Sequence, residues 1–189
     1  MKQTISPQKP KYHHQKANVT LYDQLEDDGY YYQLVEGVLE VAASPIPFHQ
    51  EVSFKLTDRL NTFLKTHPIG KLYYAPLDVE MDDQNIYQPD LLFISNDRLS
   101  IITEKRVVGS PDLVIEILSP NTRNLDLTAK YRVYEEKGVL EYWIVDPEKK
   151  TFRFYQLTHD KFQEVAVQNV YSSEVLKPFT LQPSDFWQI

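Results

Sequence analysis

Apolar residues recur along this chain with two periods, and the switches between them mark the predicted elements. From His49 to Thr66 the apolar positions Val52, Leu56, Leu60, Phe63 and Leu64 make one stripe of a long helix, which Pro68 and Gly70 stop. Ahead of it, residues 30–35 and 38–42 read as two strands around Glu36-Gly37, a two-residue hairpin turn. A short helix from Thr20 to Gly29 precedes them, with Asp23 in an approximate capping box. Beyond the long helix, residues 71–81, 87–95 and 111–118 read as three strands, separated by a turn over 82–85 and a charged connection over 96–109. A helix over about 125–137 follows, capped by 121–124 and stopped at Gly138, and then a strand over 141–145. Residues 151–157 and 161–167 suggest a peripheral hairpin, and the Pro-interrupted aromatic stretch 176–189 a capping segment. The middle of the chain is thus α-β-β-β-α-β, an α/β layer arrangement with an N-terminal hairpin and C-terminal β additions.

A chain of 189 residues fits one domain, expected over 19–189, and 24 aromatic residues supply large surfaces for its core. Residues 1–18 read as a basic, disordered tail; the first 20 residues hold four lysines and no acids. His13-His14 in that tail resembles a metal-binding pair only superficially. With no cysteine, disulfides, thiolate catalysis and thiolate zinc sites are excluded. No stretch is apolar enough for a signal peptide or a membrane span, so the expected location is the cytoplasm. Past residue 20, 16 basic residues face 27 acidic ones. That balance argues against a broadly basic nucleic-acid binder, but not against an enzyme whose acids hold cations.

Candidate chemistry centres on Glu116, one acid in the apolar run Val114-Ile115-Glu116-Ile117-Leu118. An acid goes inside only when paired or coordinating. Asp112 shares its strand face but lies four residues away, about 13 Å at ~3.3 Å per residue, too far to share one ion. The better partner is Asp90, in Gln88-Pro89-Asp90, where Pro89 suits a strand start. Two carboxylates with a strand carbonyl and waters suit a hard divalent cation, Mg²⁺ or Mn²⁺. Such an ion activates water and neutralises charge at a phosphoryl group. On the following helix Asp126, Lys130 and Tyr134 are spaced i, i+4, i+8 and line one face, with Lys130 central. Asp126 and Tyr134 read as structural partners of Lys130, and His49 as a helix cap or a neighbour of the site. Asp78, Glu80 and Asp82 alternate as a solvated strand face.

The string PDLVIEILSP, followed by Asp126, Lys130, Tyr134 and GVLEYWIVDP, resembles the Uma-type family of endonuclease-like proteins, within the PD-(D/E)XK superfamily. The similarity runs from about Tyr30 to the 179–186 tail. It implies a restriction-endonuclease-like αβββαβ core and a Mg²⁺ or Mn²⁺ nuclease site. Carried over by motif, Asp90 is the first acid, Glu116 the second, and Ile117 the carbonyl donor. The superfamily's lysine stands two residues past the second acid, where this chain has Leu118; the resemblance moves that role to Lys130. The family often carries Glu near position 33, where this chain has Gln33. The implied partner is nucleic acid, DNA foremost. Many superfamily members dimerise, and the aromatic hairpin and C-terminal tail could serve that purpose. The expected activity is phosphodiester hydrolysis. A binding module that has lost its chemistry and a hydrolase of other phosphoesters stand as alternatives.

Overall fold

The computed structural model describes residues 9–188. Residues 1–8 of the expected tail lie outside the described residues. Residues 9–18 are not a disordered tail: the N–H of His14 donates to Leu39 and the N–H of Leu39 to Gln15, and Lys16 bridges Val38. Their backbone groups complete an open strand edge, a possibility that composition does not reveal.

After α1 (Val19–Tyr22), capped by Asn18 rather than by the Thr20–Asp23 pair, come β1 (Tyr32–Val35) and β2 (Val38–Val41). Their turn has positive φ at both Glu36 (49°) and Gly37 (76°), the twist a two-residue hairpin requires. Helix α2 (Pro47–Thr66) buries Val52, Leu56 and Leu60, as its stripe predicts. Then the strand expected over 71–81 divides into β3 (Gly70–Tyr74) and β4 (Val79–Asp82). Likewise the strand expected over 87–95 divides into β5 (Asn85–Tyr87) and β6 (Leu91–Ser95). Pro76 and Pro89 stand in the two breaks, where a ladder donor is missing. A 3₁₀ turn and β7 (Val107–Val108) lead to β8 (Leu113–Ile117).

The next helix is α3 (Arg123–Leu125), a π-helical turn (Asp126–Lys130) and α4 (Tyr131–Glu136). Strand β9 (Glu141–Asp146) follows, with β10 (Thr151–Thr158), β11 (Lys161–Glu164), β12 (Tyr171–Ser172), β13 (Thr180–Leu181) and α5 (Pro183–Phe186).

The six-stranded sheet has the order β11-β10-β9-β8-β6-β3, and the five-stranded one β2-β1-β5-β4-β7. In the larger, β8 and β9 run parallel and all other pairs antiparallel. The expected peripheral hairpin is in fact an extension of this sheet. Period-2 alternation on β8 sends Leu113, Ile115 and Ile117 to one face, against α2 and the C-terminal segment. Val114 and Leu118 go to the other, against α4. The core is therefore an α/β/α sandwich, and α2, β3, β6, β8, the π-containing helix and β9 reproduce the αβββαβ order. Buried Glu141 anchors the C-terminal segment, accepting from Ser173 Oγ (2.8 Å) and the N–H groups of Glu174 and Val175. Among the described residues no helix is long and apolar enough to cross a membrane.

Gly70 allows β3 to approach β6: a β-carbon there would stand 2.3 Å from the Ile94 carbonyl and 2.4 Å from the Phe93 ring. Gly70→Ala should therefore destabilise the protein by about 1–3 kcal/mol through overpacking, read as a lower urea midpoint. An unchanged midpoint would contradict this packing.

Candidate active site

Two strand crossings build the site. At the β5–β6 break the chain leaves the small sheet and enters the large one, and Asp90 is the last residue before β6. Leu91 of β6 pairs with Ile115 of β8, so one further step in that register stands Asp90 opposite Glu116. Their side chains share the sheet face that carries Leu92 and Val114. Asp90 Oδ2 accepts the N–H of Ile117 at 2.7 Å, continuing the β6–β8 ladder with a side chain where the backbone turns away.

The helix supplies the rest. Lys130 Nζ donates to Glu116 Oε1 at 2.9 Å and lies 2.9 Å from Asp126 Oδ1. Tyr134 Oη donates to the same Glu116 oxygen at 2.8 Å. Both donors thus use Oε1, which leaves Oε2 for a further ligand. Asp126, Lys130 and Tyr134 do line one face, but through a π turn that the apolar pattern does not distinguish from an α-helix. Such turns are frequent at functional sites. The Asp126 carbonyl accepts from Tyr142 Oη at 2.9 Å.

His49 is drawn into the site and caps nothing; Ile46 is the N-cap of α2. Its Nε2 lies 3.0 Å from the Ile117 carbonyl and 3.3 Å from Asp90 Oδ2. A carbonyl only accepts, so Nε2 carries the proton. His49 Nδ1 is buried without a partner. Gln33 Oε1 accepts the N–H of Gln88 at 2.9 Å and so steadies the segment that delivers Asp90.

Gln33, His49, Asp90, Glu116 and Lys130 line one cleft of about 290 Å³. Ser119 and Thr122 also line it; the sequence pattern singles out neither as a site residue and places Thr122 only within the helix cap at 121–124. Asp112 is outside, paired with Arg98 at 3.0 Å. Asp78, Glu80 and Asp82 are half-buried rather than a solvated face: Asp78 accepts from Tyr22 and Gln88, Glu80 pairs with Arg106, and Asp82 with Lys137.

Burial raises the Glu116 carboxyl from its ordinary 4.5 to about 8; Asp126 and Asp90 add to this and Lys130 opposes it. For Lys130 burial acts downward, but Asp126 and Glu116 outweigh it and hold the ammonium above its usual range. His49 behaves alike: burial lowers it, and Asp90 with the Ile117 carbonyl raises it to a net upward shift. Three carboxylates thus crowd one ammonium and one imidazole, a set short of positive charge. Asp90, Glu116 and the second lone pair of the Ile117 carbonyl are oxygen donors that fit a hard divalent cation.

A mixed sheet between helices, with two acids meeting across its central strands and a lysine above them, defines a restriction-endonuclease-like protein. The chain belongs to the Uma2 family, described as "Putative restriction endonuclease", whose model matches residues 19–184. It is similar in fold to a crystal structure from Anabaena variabilis described as "a putative nuclease belonging to DUF820". The two share 18% identity at a TM-score of 0.74, over 89% of this chain and 96% of that one. No curated protein sequence matches the chain.

Proposed function

We propose that this protein is a divalent-cation-dependent endonuclease that hydrolyses phosphodiester bonds in nucleic acid, with DNA the first substrate to test. The observation that carries this is the meeting of Asp90 and Glu116 across β6 and β8, in one cleft with Lys130. Asp90 and Glu116, with the Ile117 carbonyl, would hold Mg²⁺ or Mn²⁺. That ion, when bound, supplies an activated water and Lewis-acid neutralisation at the phosphorus. Lys130 would stabilise charge on the phosphoryl oxygens, with Asp126 and Tyr134 setting its position. His49, held by Asp90 and the Ile117 carbonyl, keeps both in place, and Gln33 anchors the Asp90 segment. A cytoplasmic homodimer that presents two clefts to two strands completes the proposal.

Gln33 favours a second possibility, an inactive nucleic-acid-binding module. Its Oε1, however, accepts a backbone N–H, and an amide oxygen does that as well as a carboxylate does. The deciding experiment is Mn²⁺ calorimetry on the metal-stripped protein, with cleavage of plasmid DNA, for the wild type and Asp90→Asn. Saturable binding and cleavage, both lost in the variant, are expected. Salt-dependent DNA binding without cleavage would select the binding module.

Cation binding must displace the proton that burial holds on Glu116 near neutrality. Mn²⁺ affinity should therefore rise with pH and level off above about 8, with proton release measurable in buffers of different ionisation enthalpy. An affinity flat across that range would remove Glu116 from the ligand set.

A further inference from the structure

We propose that His13, His14 and Glu40 form a second metal site, separate from the cleft, that takes Zn²⁺. Among the described residues these three bring their donor atoms within 4.8 Å of one another. His13 Nδ1 and His14 Nε2 lie 3.4 and 3.3 Å from the same oxygen, Glu40 Oε2. Ligands bound at about 2.0–2.2 Å around a tetrahedral zinc stand roughly 3.3–3.5 Å apart, so both spacings suit one ion.

The backbone is arranged for this convergence. Neighbouring side chains of an extended segment point to opposite sides. Here the chain turns, with the N–H of Gln15 donating to the Tyr12 carbonyl, and His14 takes a left-handed φ of 65°. The two rings consequently lie 3.7 Å apart, centre to centre. The bond from the His14 N–H to Leu39 holds that turn against β2, which carries Glu40.

His13 Nδ1 has one in-plane lone pair, which faces Glu40 Oε2 and which the Val41 N–H approaches only at a long 3.4 Å. A metal ion beside Glu40 would take that lone pair in place of the Val41 contact. Two imidazoles and one carboxylate favour zinc over magnesium. Glu40 pairs across the hairpin with Gln33, so the site lies one strand out from the cleft, and none of its residues lines that cleft. Bound there, zinc would fasten residues 9–18 to β2.

The test is calorimetric titration of Zn²⁺ into the full-length protein with Mg²⁺ in excess, which occupies oxygen-donor sites but not imidazoles. The wild type should show saturable zinc binding, and its melting temperature should rise with zinc. His14→Asn, which tolerates the left-handed backbone, and Glu40→Gln, which keeps the side-chain shape, should each lose both effects. Circular dichroism confirms that each variant is folded. Zinc binding that is absent from the wild type, or unchanged in folded His14→Asn or Glu40→Gln, would overturn the site.

Discussion

Glu116→Gln is expected to reduce metal-dependent cleavage by roughly a thousandfold or more while the chain stays folded. That loss corresponds to about 4 kcal/mol of transition-state stabilisation, at about 1.36 kcal/mol per tenfold. The protein tolerates the change because burial already favours the uncharged carboxyl, and the amide copies its size and neutrality. Tyr134 Oη can still donate to the amide oxygen, and Lys130 keeps Asp126 at 2.9 Å. What disappears is the anionic oxygen a cation needs. Stability has its own signature. The wild-type carboxyl titrates near 8 when folded, against an ordinary value of 4.5. Its contribution is full below 4.5 and is lost as pH rises through about 8 in the absence of metal. Glu116→Gln should flatten that part of the stability–pH curve. Cleavage near the wild-type rate by a folded Glu116→Gln protein would dismiss the proposed site.

Removing Lys130 should do something different: lower both stability and cleavage, yet improve cation binding. Lys130 is buried between Glu116 and Asp126, which are themselves 2% and 1% exposed. Lys130→Met fills similar space but leaves the two acids without their ammonium. Breaking a buried pair in this way costs about 3–5 kcal/mol. A divalent ion replaces the missing charge, so Mn²⁺ should bind more tightly and raise the melting temperature more than in the wild type. Cleavage with Mn²⁺ saturating should still fall by about a hundredfold, because the charge proposed to stabilise the phosphoryl group is gone. A variant stabilised by Mn²⁺ that cleaves at the wild-type rate would reduce Lys130 to a structural counter-ion.

Much of this candidate site is legible in the sequence. An acid isolated among apolar strand residues is costly unless paired, so Glu116 signalled itself. Alternation along β8 assigned its face, and the i, i+4, i+8 spacing grouped Asp126, Lys130 and Tyr134. Other features were not legible, each for a local reason. Neither the run 71–81 nor the continuous apolar run 91–94 tells whether its neighbours belong to one sheet or two, so the passage between sheets at Pro76 and Pro89 was hidden. One π turn shifts the helix register too little to alter a four-residue spacing. His13-His14 read as tail because Glu40, which converges with them, is far along the chain and arrives only when residues 9–18 dock on β2.

The sequence by itself determined which residues are inside, the order of the core elements and the acids and lysine that carry the candidate chemistry. These follow from periodicity and from the cost of burying charge. Only the tertiary structure decided how they meet: the β6–β8 register that stands Asp90 opposite Glu116, the choice of Oε1 by Lys130 and Tyr134, and the turning of His49 onto Asp90 and Ile117. Those are distances between segments remote in the chain, fixed by which strand edges pair, and local pattern carries no information about them.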